Sequence, residues 1–109
     1  MTAPPFSLHY LLFDPSAGTD GTGLFEAMAA VVPADAAAVE AEIAQVLDWA
    51  GTQFPDRGPV EDGGDWEAEL QVADDVGGAG QPLRVFSLSL AGSAAFCTAF
   101  EQQFGDAIA

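Results

Sequence analysis

A small α+β domain in the order ββαββα, with an antiparallel sheet carrying two helices packed on one face, is the fold this sequence predicts. The prediction rests on helical apolar spacing in two segments and strand character in four. It also rests on an acidic, glycine-rich turn at the same place in each half. Residues 6–54 and 66–104 each read strand, turn, strand, helix, with 55–65 as connector. Identity between the halves is slight, so this is a repeat of pattern. At 109 residues the chain is most simply one domain with a single modest core.

Taken in order, "FSLHYLLF" (6–13) is apolar on both faces and predicts a central strand. "LFEAMAAVV" (24–32) suits helix or strand. A strand is expected because the segment follows a Gly-rich turn and runs into Pro33 without a cap; a helix there would collapse the repeat. From Pro33 to Phe54 the pattern is helical: Val39, Ile43, Val46, Leu47, Ala50 and Phe54 share a face, and Trp49 sits on its flank. "WEAELQVA" (66–73) alternates, with Trp66, Ala68, Leu70 and Val72 on one side. "LRVFSLSLAG" (83–92) alternates again, with Phe86, Leu88 and Leu90 opposed to Val85, Ser87 and Ser89. Ser93 can cap a last helix whose inner face carries Phe96, Cys97, Phe100 and Phe104, closed at Gly105.

Charge restricts the functions. Seventeen Asp and Glu face Arg57 and Arg84 as the only Lys or Arg, a formal charge of −15. Lys and Asn are absent and Ile is scarce, which a G/C-rich gene explains in part. Such a gene would ordinarily supply Arg in place of Lys, so the acid excess exceeds codon bias. Direct binding to nucleic acid or to an anionic membrane is electrostatically opposed. No apolar run reaches the roughly 18 residues of a membrane helix, and the first residues lack a secretory signal's basic and apolar regions. The single cysteine, Cys97, excludes an internal disulfide framework and a Cys-based zinc cage; the expected compartment is cytoplasmic.

"DPSAGTDGTG" (14–23) invites comparison with a calcium loop or a phosphate cradle. Counted from Asp14, Gly18, Thr19 and Phe25 fall where an EF-hand needs a ligand, a glycine and an acid; aligning Gly21 as the glycine puts Ala27 last. Neither frame works. An irregular cation site using Asp14, Asp20 and Glu26 is weaker than a plain hairpin turn. No GxxxxGK[ST] is present, and a dinucleotide fingerprint lacks its parallel βαβ context. Cys97 with His9 is the sole nucleophile–base pairing on offer, against which Cys97 lies on an apolar stripe and His9 on a solvent or interface face. No catalytic residue, metal or cofactor is expected.

What remains is surface. With helices on one side of the sheet, the bare side is expected to show His9, Leu11, Phe13, Met28, Val85 and Ser87, edged by Glu26, Glu67, Glu69 and Ser89. An apolar patch of that kind is usually covered, most often by a second copy. A one-residue slip in any strand would invert its list. Glu61, Asp62, Asp65, Glu67 and Glu69 form the densest acidic patch, solvated or presented to a basic protein. The expected function is a small acidic non-catalytic interaction module that forms a homodimer. The rivals are a nucleic-acid mimic that inhibits a basic nucleic-acid-binding protein, a small-molecule domain using Tyr10, Trp49 and Trp66, and plain adaptation to high salt.

Overall fold

The computed structural model describes residues 8–109 and has the expected ββαββα order. Strands β1 (Phe13–Ala17) and β2 (Gly23–Val31) precede helix α1 (Ala36–Gln53), and β3 (Trp66–Val76) and β4 (Pro82–Gly92) precede helix α2 (Ala94–Phe104). All pairings are antiparallel, in the order β1-β2-β4-β3, so the second strand of each half lies at the centre.

The two hairpin turns close with the same backbone bond. Gly18 donates its N–H to the Thr22 carbonyl at 2.8 Å, and Gly77 donates to the Gln81 carbonyl at 2.8 Å. Three residues after each of those glycines stands another at positive φ, Gly21 at 79° and Gly80 at 80°, the left-handed conformation that glycine adopts without a Cβ clash. Hairpin closure is thus the shared role of both acidic, glycine-rich loops. A 3-10 turn at Pro33–Asp35 leads into α1, and Ser93 caps α2 by accepting the N–H of Phe96 at 3.2 Å. Gly105 is right-handed (φ −53°) and begins a further 3-10 turn rather than a left-handed stop.

Helices cover one face. Phe25, Ala27, Ala29 and Val31 of β2 and Phe86, Leu88 and Leu90 of β4 meet Val39, Ile43, Val46 and Ala50 of α1 and Phe96, Cys97, Phe100 and Phe104 of α2 in one buried core. Aromatic rings fill it. Half-buried Trp49 lies 5.2 Å from Phe104 and 6.0 Å from both Phe96 and Phe100, and Phe13 meets Phe100 edge-on at 5.1 Å.

The first strand differs from expectation. Within "FSLHYLLF", Phe6 and Ser7 lie outside the described residues, and residues 8–12 are not a strand. Pairing with β2 begins at Phe13, and β1 is an edge strand rather than a central one. Glu42 on α1 accepts the backbone N–H groups of His9, Tyr10 and Leu11 at 2.9–3.2 Å, which takes those donors away from any ladder. The consequence for side chains is a reversal of face. Leu11 is 3% exposed and Phe13 wholly buried, whereas Leu12 is 56% exposed.

Candidate functional site

The bare face of the sheet is built from residues whose alternation the helices dictate. Because Phe25 and Ala27 must face the core, Glu26 and Met28 must face away, and the same holds for Ser87 and Ser89 on β4. Register then aligns a row across all four strands: Asp14 opposite Glu26, Glu26 opposite Ser89, and Ser89 opposite Glu69. The neighbouring row runs Met28, Ser87, Gln71. Together these side chains line an open depression of about 480 Å³. Carboxylates directly opposite one another, such as Asp14 and Glu26, repel, and neither Arg57 nor Arg84 lies among the lining residues.

Of the residues expected on this face, Met28 (68% exposed), Val85 and Ser87 are there. Leu11 and Phe13 are not. The expectation that they belong to an outward patch is corrected: both are core residues, because the chain enters the sheet one residue out of phase with an extended run from residue 6. His9 is exposed but lies before β1 begins. The face is therefore more polar than predicted, with Met28 as its prominent apolar side chain.

The acidic cluster is divided among separate places. Glu61 and Asp62 occupy an exposed 3-10 turn (Val60–Asp62). Glu67 pairs with Arg57, Oε1 to Nε at 3.0 Å, and accepts the N–H of Ala68 at 2.9 Å. That N–H, and then the guanidinium, hold the Glu67 carboxyl below the usual carboxylate range. Glu69 joins the depression on the sheet face, while Glu61 and Glu67 line a second one of about 740 Å³ with the loop of Gly18, Asp20 and Gly23. That loop is a wall of a groove as well as a turn.

No thiol site forms. Cys97 is buried with its Sγ 3.7 Å from the Gly92 carbonyl, and burial first, then the charge of Glu101, pushes its thiol pKa up. Among the described residues, no three His, Cys, Asp or Glu side chains gather as a group able to hold a metal ion, and no helix is long and apolar enough to cross a membrane. The aromatic trio is dispersed. Trp66 is buried against Phe96 with its Nε1–H donated to the Phe54 carbonyl at 2.8 Å, Trp49 packs on the phenylalanine cluster, and Tyr10 is exposed beside Glu42.

Two features escaped the sequence reading. Glu42 is 6% exposed although charged, and the visible signal was an acid three residues after Val39, on the buried stripe of α1. The other is the outer edge of β3, where Leu70, Val72 and Val76 are 43%, 52% and 67% exposed on the helix side. Alternation had placed Leu70 and Val72 inside, but the helices do not reach that far. No family model, no curated protein and no solved structure matches this chain.

Proposed function

We propose that this protein is a non-catalytic interaction module that receives a basic segment of a partner protein on its bare sheet face and associates with itself. One observation carries the reading: the row of Asp14, Glu26 and Glu69 crosses the uncovered face beside exposed Met28, with neither Arg57 nor Arg84 among the residues lining it. A partner's Lys or Arg would relieve the repulsion between Asp14 and Glu26, and Met28 supplies an adaptable apolar anchor. Small Ser87, Ser89, Ala30 and Ala91 let a backbone approach closely. The formal charge of −15 would steer a basic partner toward the chain. A nucleic-acid-binding protein is the narrower case, in which added DNA competes for the partner.

The test is titration with a cationic, methionine- or leucine-containing peptide, followed by the Met28 methyl resonance at low and high salt. The expected result is a Met28 shift, affinity that falls steeply with salt, and at least severalfold weaker binding by Glu26→Gln/Glu69→Gln. Undisturbed Met28, or equal binding by the double variant, would remove the face from consideration. Self-association is the second part of the reading, favoured by the open edge of β3.

A further inference from the structure

We infer that two copies of this chain join edge to edge through β3, antiparallel about a two-fold axis beside Gln71, so that their sheets become one continuous sheet. This rests on the self-association part of the reading above and specifies the surface.

The two edges of the sheet are treated differently. At β1, Pro15 removes a donor, and the chain's own terminus lies alongside: Phe13 bridges Ile108, and Ala109 donates its N–H to the Phe13 carbonyl at 2.8 Å. β3 is an 11-residue edge without proline. Its beginning is covered, since Gly58 donates to the Trp66 carbonyl at 2.7 Å and Arg57 Nη2 reaches the Ala68 carbonyl at 3.4 Å. Those two bonds also fix the parity: even-numbered residues of β3 turn their backbone groups away from β4. Of these, the N–H of Ala68 is taken by Glu67 and that of Val76 by Asp75. Leu70, Val72 and Asp74 therefore carry the outward groups of the uncovered stretch, in the segment where Leu70 and Val72 also show half-exposed apolar side chains. An open edge of this kind is a template for another strand.

Charge selects the occupant's register. A two-fold beside Gln71 sets Leu70 opposite Val72 of the second copy on both sides of the axis, and each such pair exchanges backbone hydrogen bonds. Glu69 then faces Ala73, and beyond that pair the two strands part, because Arg57 and Gly58 occupy the edge at Trp66 and Ala68. Centring on Val72 instead would set Glu69 against Asp75, a like-charge pair. Centring on Leu70 would pair Val72 of the second copy with Ala68, whose N–H and carbonyl are already taken by Glu67 and Arg57, and so would lose hydrogen bonds that the Gln71 register keeps at Leu70 and Val72. The favoured register gathers Leu70 and Val72 of both copies into one apolar cluster on the helix side. β3 is thus self-complementary, which an isologous dimer requires.

The test combines mass in solution with register-specific crosslinking. Wild type is expected to be a concentration-dependent dimer by sedimentation or light scattering. Val72→Pro removes an N–H that points away from β4, so the β3–β4 ladder survives while the dimer dissociation constant rises by roughly tenfold or more. Leu70→Asp, at a site already 43% exposed, should weaken the dimer without unfolding the chain, checked by melting. Gln71→Cys should form a disulfide-linked dimer under mild oxidation, because opposed residues of a non-hydrogen-bonded antiparallel pair have Cα atoms about 4.5 Å apart. Ala73→Cys, which faces Glu69, should not. A wild-type dimer unaffected by Val72→Pro and Leu70→Asp, with no Gln71→Cys crosslink, overturns the edge assignment and leaves self-association standing. A wild-type monomer from micromolar to submillimolar concentration overturns both.

Discussion

Oε1 of Glu42 lies 3.2 Å from the backbone nitrogen of Leu11, and both residues are shut away from solvent. The same carboxylate takes the N–H groups of His9 and Tyr10, so one side chain of α1 holds the chain's approach to β1. A buried carboxylate is tolerable when its lone pairs are filled, and here the backbone N–H groups of His9, Tyr10 and Leu11 fill them.

Replacing that carboxylate should therefore loosen a specific segment. Glu42→Ala leaves the buried Leu11 N–H without an acceptor, at a cost of about 1–3 kcal/mol, while the donors of exposed His9 and Tyr10 turn to water. Urea denaturation should show that loss, and amide exchange at residues 9–11 should accelerate more than in β2 or β4. Equal acceleration everywhere would mean that Glu42 acts through general packing.

Glycine substitutions make a paired prediction. A Cβ on Gly92 would run into the Phe96 ring, which the packing of α2 against β4 holds in place. Gly92→Ala should destabilise by roughly 1–3 kcal/mol. Gly51 lies inside α1 with open space where its Cβ would go. Gly51→Ala should stabilise by up to about 1 kcal/mol, because alanine favours helix. Thermal melts of both variants check the sign of each.

How far the sequence disclosed this depended on whether local pattern or tertiary contact decided the outcome. The faces of β4 and both helices were legible, because Phe86, Leu88 and Leu90, then Phe96, Phe100 and Phe104, keep strict periods and meet the core as the periods require. The segment before β1 was not. Its apolar residues, Leu8 to Phe13, fit either parity, and Glu42, remote in sequence, decided it. On the bare face, Glu26, Met28, Ser87 and Ser89 were placed by alternation, while Leu11 and Phe13 were lost to the same phase error. The β3 edge was misjudged for another reason. Alternation reports which side a residue faces and carries no information on how far the helices extend, so Leu70 and Val72 read as core.

The pair of Glu67 and Arg57 has a pH signature. The folded pKa of Glu67 is depressed, first by the Ala68 N–H and then by Arg57. Its contribution to stability is thus present above the unfolded pKa and is lost as pH falls through the depressed folded value. Arg57→Gln should raise the Glu67 titration midpoint only part of the way to the ordinary carboxylate value, since the Ala68 N–H stays in place. The Glu67 side-chain carboxyl resonance reads this directly, apart from the relief of repulsion among the other acids as pH falls. A midpoint unchanged in Arg57→Gln would assign the whole depression to the backbone bond.

Cys97 gives a readout of opening between the sheet and α2. Its Sγ rests against the Gly92 carbonyl at 3.7 Å, and a Cβ added at Gly23 would lie 2.8 Å from it, so both central strands shield the thiol. Burial raises its pKa, which lowers the fraction present as thiolate, and thiolate is the reactive form. At mildly alkaline pH a disulfide reagent should label the native chain far more slowly than the chain in urea. Gly92→Ala, which pushes on α2 through Phe96, should hasten labelling, whereas Gly51→Ala should slow it or leave it alone. If native and unfolded chains reacted at similar rates, the contact of α2 with β2 and β4 would open easily, and the helix layer could not hold Cys97 against the sheet.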